Sequence, residues 1–209
     1  MIGKTNVKVK PNKNKSLIDY VEYIQSTGVQ YINTEVLPAT DITYEIDVEI
    51  TKATSQEDTC LFGGRAGSNS NQYVLWDGHN TSNAARKTIP VFGTLQNAYT
   101  YASPNGKTIF KYDGSRFYCN GDSIFTMTNT SGYSNYPIYL FALNNNNTAD
   151  SRMYKGKLFY FKIYKARVLI RDFRPVKDGA GVYCLYDEVE QRCYYNQGTG
   201  TFKGGASIW

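Results

Sequence analysis

The sequence is poor in the side chains that most enzymes and metal sites use. His79 is its only histidine, so a zinc site built on several histidines is excluded, and its four cysteines include no Cys-x-x-Cys pair. No Gly-x-Ser-x-Gly turn accompanies His79, and the glycines near Gly198 and Gly204 lack the Gly-Lys-Ser/Thr ending of a phosphate-binding loop. We therefore expect neither a hydrolase triad nor a nucleotide-binding loop.

Long hydrophobic runs are also missing. No stretch approaches the roughly 18 consecutive apolar residues of a membrane span, and residues 1–15 lack the apolar centre of a signal peptide. We therefore expect no membrane insertion and no signal peptide in this chain. A virion or extracellular location would then be reached as a piece of a longer secreted protein, or as a phage structural protein released by lysis.

The net charge of +5 is confined to the beginning of the chain. Five lysines precede the first acidic residue, Asp19, and the remaining chain holds 18 basic and 18 acidic side chains. A neutral domain is a poor candidate for nucleic-acid binding, which depends on clustered lysine and arginine. We predict a basic arm or linker over residues 1–17, which docks to other virion or surface-protein subunits, and a single domain over residues 18–209.

Tyrosine is the residue present in excess: the chain has 19 Tyr and 10 Phe. Aromatic and β-branched residues favour pleated, half-buried strands. Residues 43–51 give the clearest example, because apolar and polar side chains alternate there and one face must be buried. The predicted buried positions are Tyr44, Ile46, Val48 and Ile50, and the predicted wet positions are Glu45, Asp47, Glu49 and Thr51.

Short strands separated by turn residues extend over the rest of the chain. Asn120-Gly121 is typical of a type I′ hairpin, because both central positions of that turn need positive φ. A dozen or so strands at this spacing predict an all-β, two-sheet antiparallel sandwich. Besides 43–51, they are expected at 18–25, 30–36, 59–63, 72–77, 88–92, 108–113, 116–119, 123–128, 136–143, 157–164 and, as a final hairpin, 182–195.

The order of these segments resembles a known family. Residues 23–34, Tyr-Ile-Gln-Ser-Thr-Gly-Val-Gln-Tyr-Ile-Asn-Thr, look like the start of laminin G-like, concanavalin A-like jelly-roll domains of phages and of surface proteins of gut Firmicutes. Further segments agree in order and spacing, so that the resemblance covers about residues 18–205. These segments are 117–121, 156–164, 171–176, 185–187 and 196–202.

The resemblance implies a jelly-roll sandwich that recognises a cell-surface glycan or polysaccharide without catalysis, on a phage virion or a bacterial surface. This architecture hosts lectins, adhesive modules, virion proteins and glycosidases, so fold alone does not decide function. One alternative is a purely structural or decoration protein of the virion. Homo-oligomers occur among such proteins, and the sequence does not fix a number.

A second alternative is an enzyme. Glu45, Asp47 and Glu49 resemble the catalytic strand of laminarinase- and lichenase-type β-glucanases, where they would be nucleophile, neighbour and acid of a retaining hydrolysis. The competing interpretation is an amphipathic strand with a solvated acidic face. We favour it because the motif comes early in the domain, and because only Trp76 and Trp209 are available to line a cleft.

Candidate ligand residues follow from the chemistry of sugars, which need an aromatic face beside planar hydrogen-bonding groups. The candidates are Arg65, Tyr73, Trp76 and Asp77. Laminin G-like domains often bind calcium, for which the candidates are Asn144, Asn146 and Asp150; the competing interpretation is an Asn-rich turn. The cysteines are expected to be free, with a bridge between Cys184 and Cys193, which flank a hairpin, as the alternative.

Overall fold

The computed structural model describes residues 18–50, 58–67, 71–78, 87–93, 101–127 and 133–208. The basic segment 1–17, His79 and Trp209 lie outside these ranges, so the predictions about them stay predictions. Within the ranges, no helix has the length and apolar character that crossing a membrane requires.

The described residues form β-strands and no helix, as predicted. In chain order, the first ten strands are β1 Asp19–Tyr20, β2 Ile24–Thr27, β3 Ile32–Asn33, β4 Ile42–Ile50, β5 Thr59–Arg65, β6 Gln72–Asp77, β7 Lys87–Gly93, β8 Tyr101–Ala102, β9 Gly106–Tyr112 and β10 Arg116–Cys119. The others are β11 Asp122–Thr126, β12 Tyr139–Leu140, β13 Leu143–Asn145, β14 Thr148–Ala149, β15 Lys155–Lys165, β16 Val168–Lys177, β17 Tyr183–Asp187, β18 Arg192–Tyr194 and β19 Lys203–Gly204.

These strands make two sheets. The larger, 11-stranded sheet has the order β11-β10-β9-β4-β15-β16-β17-β18, with β2 and β1 paired to β15 and β16 and with β19 paired to β2. The smaller, 8-stranded sheet has the order β14-β13-β5-β6-β7-β8, with β12 paired to β5 and β3 paired to β12. All pairs are antiparallel except β13 with β5. The two-sheet antiparallel sandwich is confirmed.

The core lies between the sheets and is built on the alternation in β4. Tyr44, Ile46, Val48 and Ile50 are each at most 1% exposed, as predicted. The ring of Tyr44 packs edge-to-face on Phe62 of β5 at 4.7 Å, which joins the two sheets directly. A second buried cluster occupies the opposite face of the smaller sheet and consists of Cys60, Val74, Trp76, Ile89, Val91 and Leu143.

Two hairpins of the larger sheet have turn residues with positive φ, but only one of them uses residues that favour this conformation. Asn120 and Gly121 have φ of 52° and 91° between β10 and β11, so the predicted turn is confirmed. The hairpin between β15 and β16 was not predicted, because its turn residues, Ala166 and Arg167, have φ of 47° and 67° without being Gly or Asn.

Strand β16 itself was not predicted, and it contains a proline. The pairing of β16 with β15 ends at Phe173, so Pro175 has no partner on β15. The Pro175 carbonyl accepts a hydrogen bond from the Val21 N–H at 3.1 Å. Proline has no N–H to donate, so it is tolerated at a position where no neighbouring strand would accept that hydrogen bond. The thiols of Cys184 on β17 and Cys193 on the adjacent β18 are free.

We expect the two faces of β4 and its neighbour β9 to differ sharply in a truncation series. Ile46→Ala removes a fully buried side chain from the core and should lower the free energy of unfolding by about 2–5 kcal/mol. Ile109→Ala, on the outward face and 36% exposed, should cost less than about 1 kcal/mol. Urea denaturation measures both, and similar costs for the two variants would contradict the inward orientation of Ile46.

Candidate functional site

Two of the predicted sugar-binding residues are part of the interior. Tyr73 is 1% exposed, its hydroxyl donates to the Ile42 carbonyl at 3.0 Å, and its ring packs against Phe92 at 4.6 Å. Asp77 is fully buried and accepts a hydrogen bond from the Ser103 hydroxyl at 2.7 Å. Neither side chain presents a face to an external ligand.

Arg65 and Trp76 lie together on the outward face of the smaller sheet. The guanidinium groups of Arg152 and Arg65 lie 4.8 and 6.0 Å from the centre of the Trp76 ring. Asp150 accepts two hydrogen bonds from the Arg152 guanidinium, at 2.8 and 2.7 Å, and one from the Arg152 backbone N–H at 3.0 Å, and it lies 3.5 Å from Arg65. The Trp76 ring packs against these arginines and within the second cluster, so only 1% of the residue is exposed. The ring therefore offers no face on which a sugar could stack.

The calcium candidates form a β-hairpin. Asn146 and Asn147 have φ of 53° and 63° between β13 and β14, the left-handed conformation of a tight turn. The buried Asn144 donates its amide N–H to the Pro137 carbonyl at 2.9 Å, and hydrogen bonding to Arg152 lowers the pKa of the Asp150 carboxyl. Across the described ranges, no three His, Cys, Asp or Glu side chains are grouped to hold a metal ion.

The outward face of the larger sheet carries a row of carboxylates flanked by rows of lysine. Glu45 lies opposite Lys111 of β9 and Lys162 of β15, and Glu49 lies opposite Lys107 and Lys157 of the same two strands. Cross-strand pairs of opposite charge stabilise a sheet by roughly 0.2–1 kcal/mol each. The predicted acidic face is therefore compensated by its neighbours.

Two carboxylates of this row have direct partners on β15. The Lys157 ammonium lies 2.9 Å from a Glu49 oxygen, and the Tyr160 hydroxyl donates to Glu45 at 2.8 Å. Hydrogen bonding to Glu49 raises the pKa of Lys157, and burial raises the pKa of Tyr160, so both side chains remain protonated beside their acids.

Asp47 differs from the expectation of a wet acidic face, since it is 4% exposed. The pairing of β15 with β4 shifts between Leu158 and Tyr160, which makes Phe159 an additional residue in the outward surface. Lys107 lies over the Phe159 ring at 4.1 Å and reaches Asp47 at 3.4 Å. The bulge and the lysine together cover Asp47, whose second oxygen, Oδ1, has no hydrogen-bond partner.

A groove opens on this face where β2, β4, β9 and β15 meet. Its volume is about 400 Å³, and we call it the outer-face groove; it is lined by Glu22, Tyr23, Glu49, Lys107, Lys157 and Phe159. The rings of Tyr23 and Phe159 meet edge-to-face at 5.9 Å, and Lys157 lies 4.6 Å from the centre of the Tyr23 ring. The groove thus combines aromatic surface with carboxylate acceptors and ammonium donors.

Sequence reasoning did not find this groove, because its residues come from four separate segments. Tyr23 and Phe159 approach each other only through the pairing of β2 with β15, which the sequence does not specify. One local signal was present: two successive aromatic residues, Phe159 and Tyr160, interrupt the alternation of β15. Such an interruption indicates a bulge and an exposed ring.

No protein-family model matches the chain, and a search of curated proteins finds no match.

We expect the Asp47 carboxyl to make stability depend on pH. Burial raises its pKa, and Lys107 offsets this effect only in part, so the folded state binds this proton more tightly than the unfolded chain. Stability contributed by the protonated group is then lost as the pH rises through the folded pKa. Asp47→Asn should therefore unfold like the parent near pH 4 and at higher urea concentration at pH 7. An Asn variant that is less stable than the parent at pH 7 would show instead that the pair with Lys107 is net stabilising.

Proposed function

We propose that this protein is a non-catalytic recognition module for cell-surface carbohydrate, related to laminin G-like jelly-roll domains and carried by a virion or a bacterial surface protein. The observation that supports this most is the outer-face groove. Its two aromatic residues, Phe159 on β15 and Tyr23 directly before β2, lie beside charged side chains at the outward surface of the larger sheet.

The chemistry of the groove suits a sugar. The C–H faces of a pyranose pack on aromatic rings, and its hydroxyl groups both donate to carboxylates and accept from ammonium groups. Tyr23 and Phe159 supply the rings, and Glu49, Lys107 and Lys157 supply the polar partners. These side chains come mainly from strands, so they are largely preorganised and little conformational entropy is lost on binding.

The surroundings of the acidic row favour a non-catalytic role. A retaining glycosidase needs one free carboxylate nucleophile and one carboxylic acid facing the same bond. Here Glu49 is paired with Lys157, Asp47 is covered by Lys107, and Glu45 accepts the Tyr160 hydroxyl. Each carboxylate serves a partner within the sheet.

A polysaccharide array, probed with and without calcium, tests the binding proposal. We expect the parent protein to bind at least one polysaccharide, and Phe159→Ala to weaken that binding about tenfold, which corresponds to about 1.4 kcal/mol. Tyr195→Ala is the matched control, because Tyr195 is a 44% exposed aromatic residue that does not line the groove. It should bind like the parent.

A protein that binds no polysaccharide on the array would favour the structural or decoration role instead. Binding that survives Phe159→Ala unchanged would place the site elsewhere on the molecule.

We also expect no hydrolysis of laminarin or lichenan, because none of the three carboxylates is free to act on a glycosidic bond. Release of reducing ends is the measurement. Hydrolysis by the parent that disappears in Glu45→Gln would establish the β-glucanase and overturn the non-catalytic proposal.

A further inference from the structure

A second cavity lies at the other end of β4 from the outer-face groove. Its volume is about 320 Å³, and we call it the strand-end cavity; its outward lining includes Thr43, Lys111, Asp113, Tyr164 and Arg167. In the strand register Thr43 lies opposite Tyr164 and Lys111 lies opposite Glu45, without an ion pair between Lys111 and Glu45, so the cavity adjoins the same carboxylate row. From Thr43 to Glu49 the strand rises about 20 Å. The two cavities therefore terminate one continuous face.

The charges of the two cavities differ. In the outer-face groove, Lys157 and Lys107 are each paired with a carboxylate of β4. In the strand-end cavity, neither Lys111 nor Arg167 makes an ion pair with any residue that the structure describes. Both are exposed cations beside a partly enclosed space.

The one carboxylate of the strand-end cavity, Asp113, makes no ion pair with either cation, so the two cations and this carboxylate leave the lining with an excess of positive charge. Asp113 accepts the N–H groups of Ser115 and Arg116 at 2.9 and 2.8 Å and the Tyr118 hydroxyl at 2.8 Å. These hydrogen bonds stabilise the turn between β9 and β10, and they orient the Asp113 carboxylate toward donors of that hairpin. Lys111 and Arg167 remain available to an external anion.

We propose that the strand-end cavity binds an anionic substituent of the recognised saccharide, so that the ligand is an acidic polysaccharide. This inference rests on the proposed function and names the class of its ligand. Arg167 offers the planar fork that matches a carboxylate, sulfate or phosphate group, and Lys111 adds a second positive charge. The Tyr164 ring and the Thr43 hydroxyl lie where the sugar ring that bears the anion would pack.

Matched polysaccharide pairs on the array distinguish charge from sugar type. The pairs are galacturonan with its methyl ester for carboxylate, dextran with dextran sulfate for sulfate, and mannan with phosphomannan for phosphate. We expect the parent protein to bind the charged member of at least one pair at least tenfold more tightly, and this preference to fall at high salt because screening weakens exposed charges.

The double variant Lys111→Met, Arg167→Met should lose that preference and keep binding to neutral polysaccharide. The double variant Lys177→Met, Lys203→Met is the control, since it removes the same charge from residues that line neither cavity. Both variants keep the basic segment 1–17, so any attraction of polyanions to that segment is common to both.

The results separate this inference from the function on which it rests. Binding without a charge preference, or a preference that persists in Lys111→Met, Arg167→Met, would overturn the acidic ligand and leave carbohydrate recognition in place. Absence of all binding would overturn both. The result that supports both is binding to neutral and charged polysaccharide weakened alike, about tenfold, in Phe159→Ala, together with loss of the charge preference alone in Lys111→Met, Arg167→Met.

Discussion

The structure depends on the division of β4 into two faces. Its buried side chains interlock with the smaller sheet, with Tyr44 against Phe62, and its polar side chains are matched to the lysines of β9 and β15. Because the side-chain period of a strand is two, a slip of one residue would turn Ile46 outward and Glu45 into the core. Neither face tolerates that exchange, so the register of the central strands is strongly specified.

The proposed binding surface is a consequence of this register. Paired charges satisfy most of the outward face, and the groove forms where the pairing is interrupted. The bulge in β15 brings Phe159 into the outward surface, and β2 brings Tyr23 beside it. A local irregularity in the sheet thus brings together a half-buried aromatic pair at the outward surface, which is a common way for sheets to present side chains.

The smaller sheet follows a different physical pattern. All six residues of β6 are buried, because Tyr73 and Leu75 face the core while Val74 and Trp76 face the second cluster. The aromatic and polar side chains of β6 suit a sugar site as well as a core, so the sequence alone does not distinguish the two. The aromatic residues of β6 are structural, and the arginines around Trp76 are held by Asp150 rather than offered to a ligand.

Local chemistry explains which predictions succeeded. The alternation in β4 and the turn at Asn120-Gly121 are properties of neighbouring residues, and both were read correctly. Strand β16 was not predicted. It contains Pro175, and a proline inside a strand is acceptable only where its missing N–H has no partner to lose, which depends on the neighbouring strands. The groove depends likewise on which distant strands pair, and no local pattern encodes that.

Hydroxyl-radical footprinting with mass spectrometry tests the two-faced central sheet most directly. We expect Tyr44, Tyr73 and Tyr112 to be protected, and Tyr23, Phe159 and Tyr164 to be labelled in the free protein and protected by a bound polysaccharide. Labelling of Tyr44 and Tyr112 at the rate of Tyr23 would contradict the inward orientation on which the fold and the proposed site both rest.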